Sequence, residues 1–122
     1  MSKAEQVVRQ YLEAMERRDL AAARRLLAPG FFMVFPGGRR FDSVEALVDW
    51  ARGRYRSARK TYERFDTAED VVYCFGTLSG EHLDGSPYSG IRFIDRFTVR
   101  GGRLVDQQVW NDMGELLYGG IK

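Results

Sequence analysis

Apolar residues recur along positions 4 to 16 at Val7, Val8, Tyr11, Leu12 and Met15, which fall on one side of a helix. Asp19 stands where an N-cap belongs, ahead of a second predicted helix, "LAAARRLLA", with Leu20, Ala23, Leu26 and Leu27 inward. "PG" at 29–30 ends it; "FFMVF" reads as a short apolar strand and "PGGRRF" as a turn into another. "DSVEALVDWARGRY" opens with Asp42 or Ser43 as cap and carries Val44, Leu47, Val48, Ala51 and Tyr55 at helical spacing. From residue 60 the period falls to two. Strands are predicted over 60–67, 70–82, 87–100 and 103–112, joined by "TAED", "LDGSP" and "RGGR", which have hairpin character. Three helices followed by an antiparallel meander make an α+β design, 1–122 as a single domain. The helices bury their stripes by closing over one face of a curved, mostly antiparallel sheet. The result is a cone-shaped α+β barrel whose interior is a natural pocket.

One position breaks the alternation. In "IRFIDRF" the strand places Ile91, Phe93, Phe97 and Val99 on one face, and Asp95 falls among them. An unpaired charge there costs about several kcal/mol, so the carboxyl needs a reason. The last strand leaves two settings open. If Val105, Gln107, Val109 and Asn111 face the cone, Asp112 points away; a bulge reverses that.

Composition narrows the function classes. Nineteen basic against seventeen acidic residues give a net charge of +2, too balanced for nucleic acid as the default partner. The basic run "RGRYRSARK" at 52–60 reads mostly as a solvated face with a helix C-terminal charge preference. A single cysteine, Cys74, excludes an internal disulfide and reads as a small core residue. No window approaches the ~20 apolar residues of a membrane helix, and the N-terminus lacks the apolar region of a signal peptide. A protein of the reducing cytoplasm, free of membrane and nucleic acid, is the simple expectation. His82 is the only histidine and nothing has zinc-ligand spacing, so no metal or other cofactor is expected.

"VVRQYLEAMERRDLAAARRLLAPGF" and "GIRFIDRFTVRGGRLVDQQVWND" resemble the opening helices and paired final strands of the nuclear transport factor 2-like superfamily, in particular its SnoaL-like branch. The resemblance covers essentially the whole chain. It implies the cone fold and a homodimer through the open face of the sheet. The superfamily includes ketosteroid isomerases, polyketide cyclases, epoxide hydrolases, dehydratases and binding domains, so fold does not settle function.

Against the ketosteroid isomerases, Tyr11 matches the tyrosine that donates to the substrate oxyanion, and Asp95 matches the aspartic acid that donates beside it. Such an acid donates only while its apolar site keeps it protonated. The match breaks at the base: those enzymes need a carboxylate before a first-strand proline, and here Phe35 precedes Pro36. Asp112 stands where an acidic residue is frequent at the end of the SnoaL-like final strand. His82, beside the "LDGSP" turn, is a solvated rim residue or a base near the pocket mouth.

Trp50, Tyr55, Phe32, Phe75, Tyr88 and Phe93 exceed what a small core needs and would line a cavity for a flat or cyclic ligand. Met15, Phe35, Val109 and Asn111 complete the expected lining. Two functions compete. One is a cofactor-free isomerase, cyclase or dehydratase acting on a hydrophobic carbonyl compound, with Tyr11 and Asp95 polarising the carbonyl and His82 or Asp112 moving the proton. The other is a non-catalytic ligand-binding or dimerisation domain.

Overall fold

The computed structural model describes residues 1–118. Helix α1, Lys3–Glu16, starts where the Ser2 hydroxyl accepts from the Glu5 amide at 3.0 Å, satisfying one free N–H of the first turn. It buries Val8, Tyr11, Leu12, Ala14 and Met15. Arg18 takes the left-handed conformation (φ 59°), and Asp19 caps α2, Leu20–Arg24, accepting from the Ala22 amide at 3.1 Å. This helix stops four residues before the expected end at Ala28. Leu27 already pairs with Leu104, so Leu27–Phe35 is strand β1. Pro29 and Gly30 (φ 80°) are absorbed as an irregularity inside that strand, between the pairs Leu27/Leu104 and Phe32/Asp106.

Strand β2, Arg39–Phe41, returns antiparallel on β1. Ser43, not Asp42, caps α3, Val44–Arg52, which buries Val44, Leu47, Val48 and Ala51. The meander is β3, Ser57–Ala68, β4, Val71–Glu81, β5, Pro87–Arg100, and β6, Arg103–Asn111. The sheet runs β2-β1-β6-β5-β4-β3, antiparallel except for β1 against β6. A short helix α4, Met113–Tyr118, follows where the pattern predicted none; Asn111 Oδ1 accepts from the Met113 amide at 3.0 Å at its start.

Register slips at Tyr62/Arg64, Leu78/Gly80 and Thr98/Val99 bend the meander. Gly76 makes the first of these bends sterically possible. A Cβ there would sit 1.9 Å from the Thr61 carbonyl oxygen. In β6 the slip leaves Val105 without a partner on β5, between the pairs Thr98/Asp106 and Val99/Leu104. Leu104 and Gln107 are therefore both buried, and strict alternation over the strand fails. The result is an unclosed, curved sheet with α1, α2 and α3 over its concave side, the cone that the sequence led us to expect.

Candidate functional site

The concave face encloses a cavity of about 550 Å³. Alternation places Lys60 and Tyr62 of β3, Phe93 of β5, and Gln107, Val109 and Asn111 of β6 in its wall. α1 adds Tyr11, Leu12 and Met15. The α3 side adds Leu47, Val48, Trp50, Arg54 and Tyr55, while Phe35 and Arg39 come from β1 and β2. Phe35, Phe41 and Trp50 pack edge-on and tilted at 5.3–5.9 Å between centroids, a geometry aromatic rings favour. The cavity is thus apolar over most of its depth.

Its chemistry concentrates at Asp95. The carboxyl is fully buried, and Lys60 Nζ donates to Oδ2 while Oδ1 has no hydrogen-bond partner. The Lys60 side chain keeps 24% of its exposure, and Nζ lies 5.0 Å from the centroid of the Phe93 ring. Burial by itself would depress the Lys60 ammonium. The Asp95 charge, together with the hydrogen bond from the ammonium to its carboxylate, offsets burial and holds Lys60 above its ordinary value. Lys60 is therefore a cation at neutral pH.

This pairing corrects the isomerase analogy. An aspartic acid donates only when protonated and isolated from cations. Here Asp95 accepts from an ammonium and serves as its counter-ion. Nor do Tyr11 and Asp95 form a donor pair. The Tyr11 hydroxyl donates to Gln107 Oε1 at 3.3 Å and lies 3.7 Å from Met33 Sδ. Burial, then the Asp95 charge, pushes its pKa up, so it stays a neutral phenol. Burial likewise raises Tyr62, and lifts Cys74 to about 12, which leaves that thiol an inert core group.

The structure brings Tyr11, Met15, Phe35, Trp50, Tyr55, Phe93, Val109 and Asn111 into the wall, with Asp95 behind Lys60. It keeps five expected residues out. Phe75 pairs in register with Ile94 on the outer face, and Phe32 lies under the Arg40 guanidinium at 4.1 Å on that same side of β1. Tyr88 is buried, donating to the Ser57 carbonyl at 2.7 Å, and His82 packs on its ring at 5.1 Å. Asp112 accepts from Arg92 Nε at 2.6 Å, away from the cavity.

Sequence reasoning missed Lys60, Gln107 as the partner of Tyr11, and Arg54. Lys60 and Arg54 belong to the run read as a solvated face. The available signal was period two: Ala58, Lys60 and Tyr62 share a face, and Tyr62 is aromatic. Among the described residues no three His, Cys, Asp or Glu side chains gather as a metal site. No helix there is long and apolar enough to cross a membrane.

The SnoaL-like domain profile matches residues 8–107. No curated protein is significantly similar in sequence. Among solved structures, an NTF2-like protein of unknown function from Burkholderia pseudomallei superposes with a TM-score of 0.84 at 22% identity, over 97% of each chain. TerC, co-crystallised with polyporic acid, gives 0.84 at 17% identity, over 96% of this chain and 97% of its own. IdmH, a candidate polyketide cyclase from Streptomyces antibioticus, gives 0.78 at 20% identity, over 96% and 97%. At these identities the superpositions speak for the fold alone. The profile match over most of the length carries the further conclusion that the chain belongs to the SnoaL-like domain family.

Proposed function

We propose that the cone binds a flat, largely apolar cyclic carbonyl compound, and that the Lys60 ammonium, braced by Asp95, holds and polarises its oxygen. The observation that carries this reading is the Lys60–Asp95 pair. Taking an ammonium and a carboxylate out of water costs several kcal/mol or so per ion, and hydrophobic replacements of similar volume are often as stable. A pair kept beside an apolar cavity therefore points to use. Tyr11, Gln107 and Asn111 add neutral polar groups in the same wall.

The reaction class that fits is cofactor-free proton transfer next to the carbonyl, as in an isomerase, cyclase or dehydratase. Lys60 would stabilise the enolate oxygen as charge develops on it, while the α-proton passes to water at the open mouth or to Glu16 or Glu115, the carboxylates of the lining. TerC with polyporic acid and IdmH as a candidate cyclase support a cyclic ligand. One observation favours binding without chemistry. Phe35 fills the place of the isomerase base, packed against Phe41 and Trp50, and the lining carboxylates, Glu16 and Glu115, are solvent-exposed. We propose a homodimer as well, through the outer sheet face, where Trp110, Ile94 and Tyr73 are 50%, 38% and 36% exposed.

Deuterium exchange at the α-carbons of 2-tetralone, followed by NMR, tests the catalytic reading. Exchange above the buffer rate that is lost in Lys60→Gln/Asp95→Asn supports the enzyme. Binding without exchange selects the non-catalytic reading. Absence of binding by both 2-tetralone and 2-naphthol overturns the cavity assignment.

A further inference from the structure

The cavity carries more positive charge than its apolar walls require, and the charge is grouped. Arg18, Arg39 and Arg54 line it together with Lys60. Lys60 is neutralised by Asp95. Among the described residues no carboxylate lies within ion-pair distance of any of the three arginines, although nine other Lys or Arg–carboxylate pairs form across the molecule, counting that of Lys60. A smaller recess of about 170 Å³ adjoins the cavity, sharing Arg18, Val48, Ala51 and Tyr55 with it and adding Arg52 and Arg56. Arg52 pairs with Asp49 at 3.2 Å, as a cation in the last turn of α3 should. The others are held differently. Arg18 donates to the Met15 carbonyl at 2.6 Å, Arg56 to the Leu83 carbonyl at 3.3 Å, and Arg54 lies over the Trp50 ring at 4.5 Å. A guanidinium fixed by a carbonyl or a ring keeps donors free for a carboxylate or phosphate oxygen.

The lining carboxylates do not offset this charge directly: Glu16 and Glu115 form no ion pair with Arg18 or Arg54 among the described residues. Arg18, on the turn after α1, and Arg54, on the turn after α3, thus bring two unpaired cations to the cavity beside Tyr55.

We infer that this side of the cavity is an anion subsite formed by Arg18 and Arg54 around Tyr55, so that the natural ligand is an acidic amphiphile with an apolar ring and a carboxylate or phosphate. The inference rests on the proposed binding role of the cone and adds the class of ligand. The ring lies against Trp50, Phe93 and Val109, and the anionic group reaches the arginines where field lines from a low-dielectric wall are concentrated.

Calorimetric titration with three probes of one ring tests it: 2-naphthamide, 2-naphthoate and 2-naphthyl phosphate. The anions should bind the wild-type protein at least about tenfold more tightly than the amide at low salt, a margin that added sodium chloride erodes. In Arg18→Gln/Arg54→Gln the anions should fall to the affinity that the same variant shows for the amide. A matched Arg25→Gln/Arg59→Gln variant, on exposed sites outside the cavity, should keep the preference. Equal binding of acid and amide by the wild type overturns the subsite and leaves the cavity assignment standing. Binding by none of the three overturns both. A preference that survives in Arg18→Gln/Arg54→Gln and disappears in Lys60→Gln/Asp95→Asn places the anion on Lys60 and also overturns it. Whether carboxylate or phosphate is preferred tells which acid the subsite takes, and either supports it.

Discussion

Strand β5 places charged residues on both faces of the sheet, and an ion pair from the outer face has little in common with the one inside. Outside, Arg92 meets Asp112 with side chains 82% and 43% exposed. Inside, Asp95 meets Lys60 with side chains 0% and 24% exposed. The outer pair trades one set of water contacts for another and contributes little to stability. The inner pair has surrendered the water around its carboxylate, and its desolvation rivals the attraction that offsets it. A fold does not require such an arrangement, because an apolar pair would fill the same space. The contrast teaches where to look for function in a sheet of this kind: at the charge whose burial nothing in the packing demands.

The largest effect follows from removing one inner partner. Lys60→Met should cost about 3 kcal/mol in urea denaturation, because Asp95 is left buried without a counter-ion. Lys60→Met/Asp95→Leu should recover most of that loss while abolishing the binding of 2-naphthol. A double variant that is as unstable as the single one, or one that still binds, would mean that the pair serves the fold.

A smaller effect separates Tyr11 from the pair. Tyr11→Phe removes the donor to Gln107 Oε1 and should cost about 1 kcal/mol, since it leaves a buried acceptor unsatisfied. The pH dependence has a definite sign. Burial raises the Tyr11 and Tyr62 hydroxyls above the value of about 10 they take when unfolded, so folding keeps them neutral. Lys60 is also raised, so the stability it contributes is present below its unfolded value of about 10.5 and lost as pH climbs through the folded one. All three act together. Their contribution should be intact at neutral pH and decline above about pH 10, less steeply in Tyr11→Phe, as read from urea midpoints against pH.

Much of this was legible in the sequence, and the losses have physical causes. The stripes of α1 and α3, the Asp19 cap and the inward Asp95 follow from periods of 3.6 and two, which burial enforces residue by residue. Leu26 and Leu27 looked helical because a short apolar run suits a helix and a buried strand equally; pairing with Leu104, remote in sequence, decided it. Val105 broke the alternation of β6 because a bulge is set by both strands together. Phe75 and Phe32 lie on the outer face despite their aromatic character, because aromaticity carries no information about face; register does. Lys60 was hidden by its neighbours, since a lysine in a basic run looks solvated until Asp95 is found to share its face.

The smallest effect is the sharpest check on the comparison. Arg92→Ala should barely move the urea midpoint, and what change there is should vanish in high salt. One feature of the structure could make it larger. The Asp112 amide donates to the Arg92 carbonyl at 3.0 Å, and Asp112 immediately precedes α4, whose Met113, Gly114 and Glu115 line the cavity. The backbone bond survives the substitution and the side-chain pair does not. If α4 is held by backbone and packing, Arg92→Ala leaves 2-naphthamide binding unaltered as well, and the outer face is energetically separate from the cone. A clear drop in the urea midpoint that persists in high salt, accompanied by weaker binding, would instead make Arg92–Asp112 an anchor for the cavity wall, and the two faces would no longer be independent.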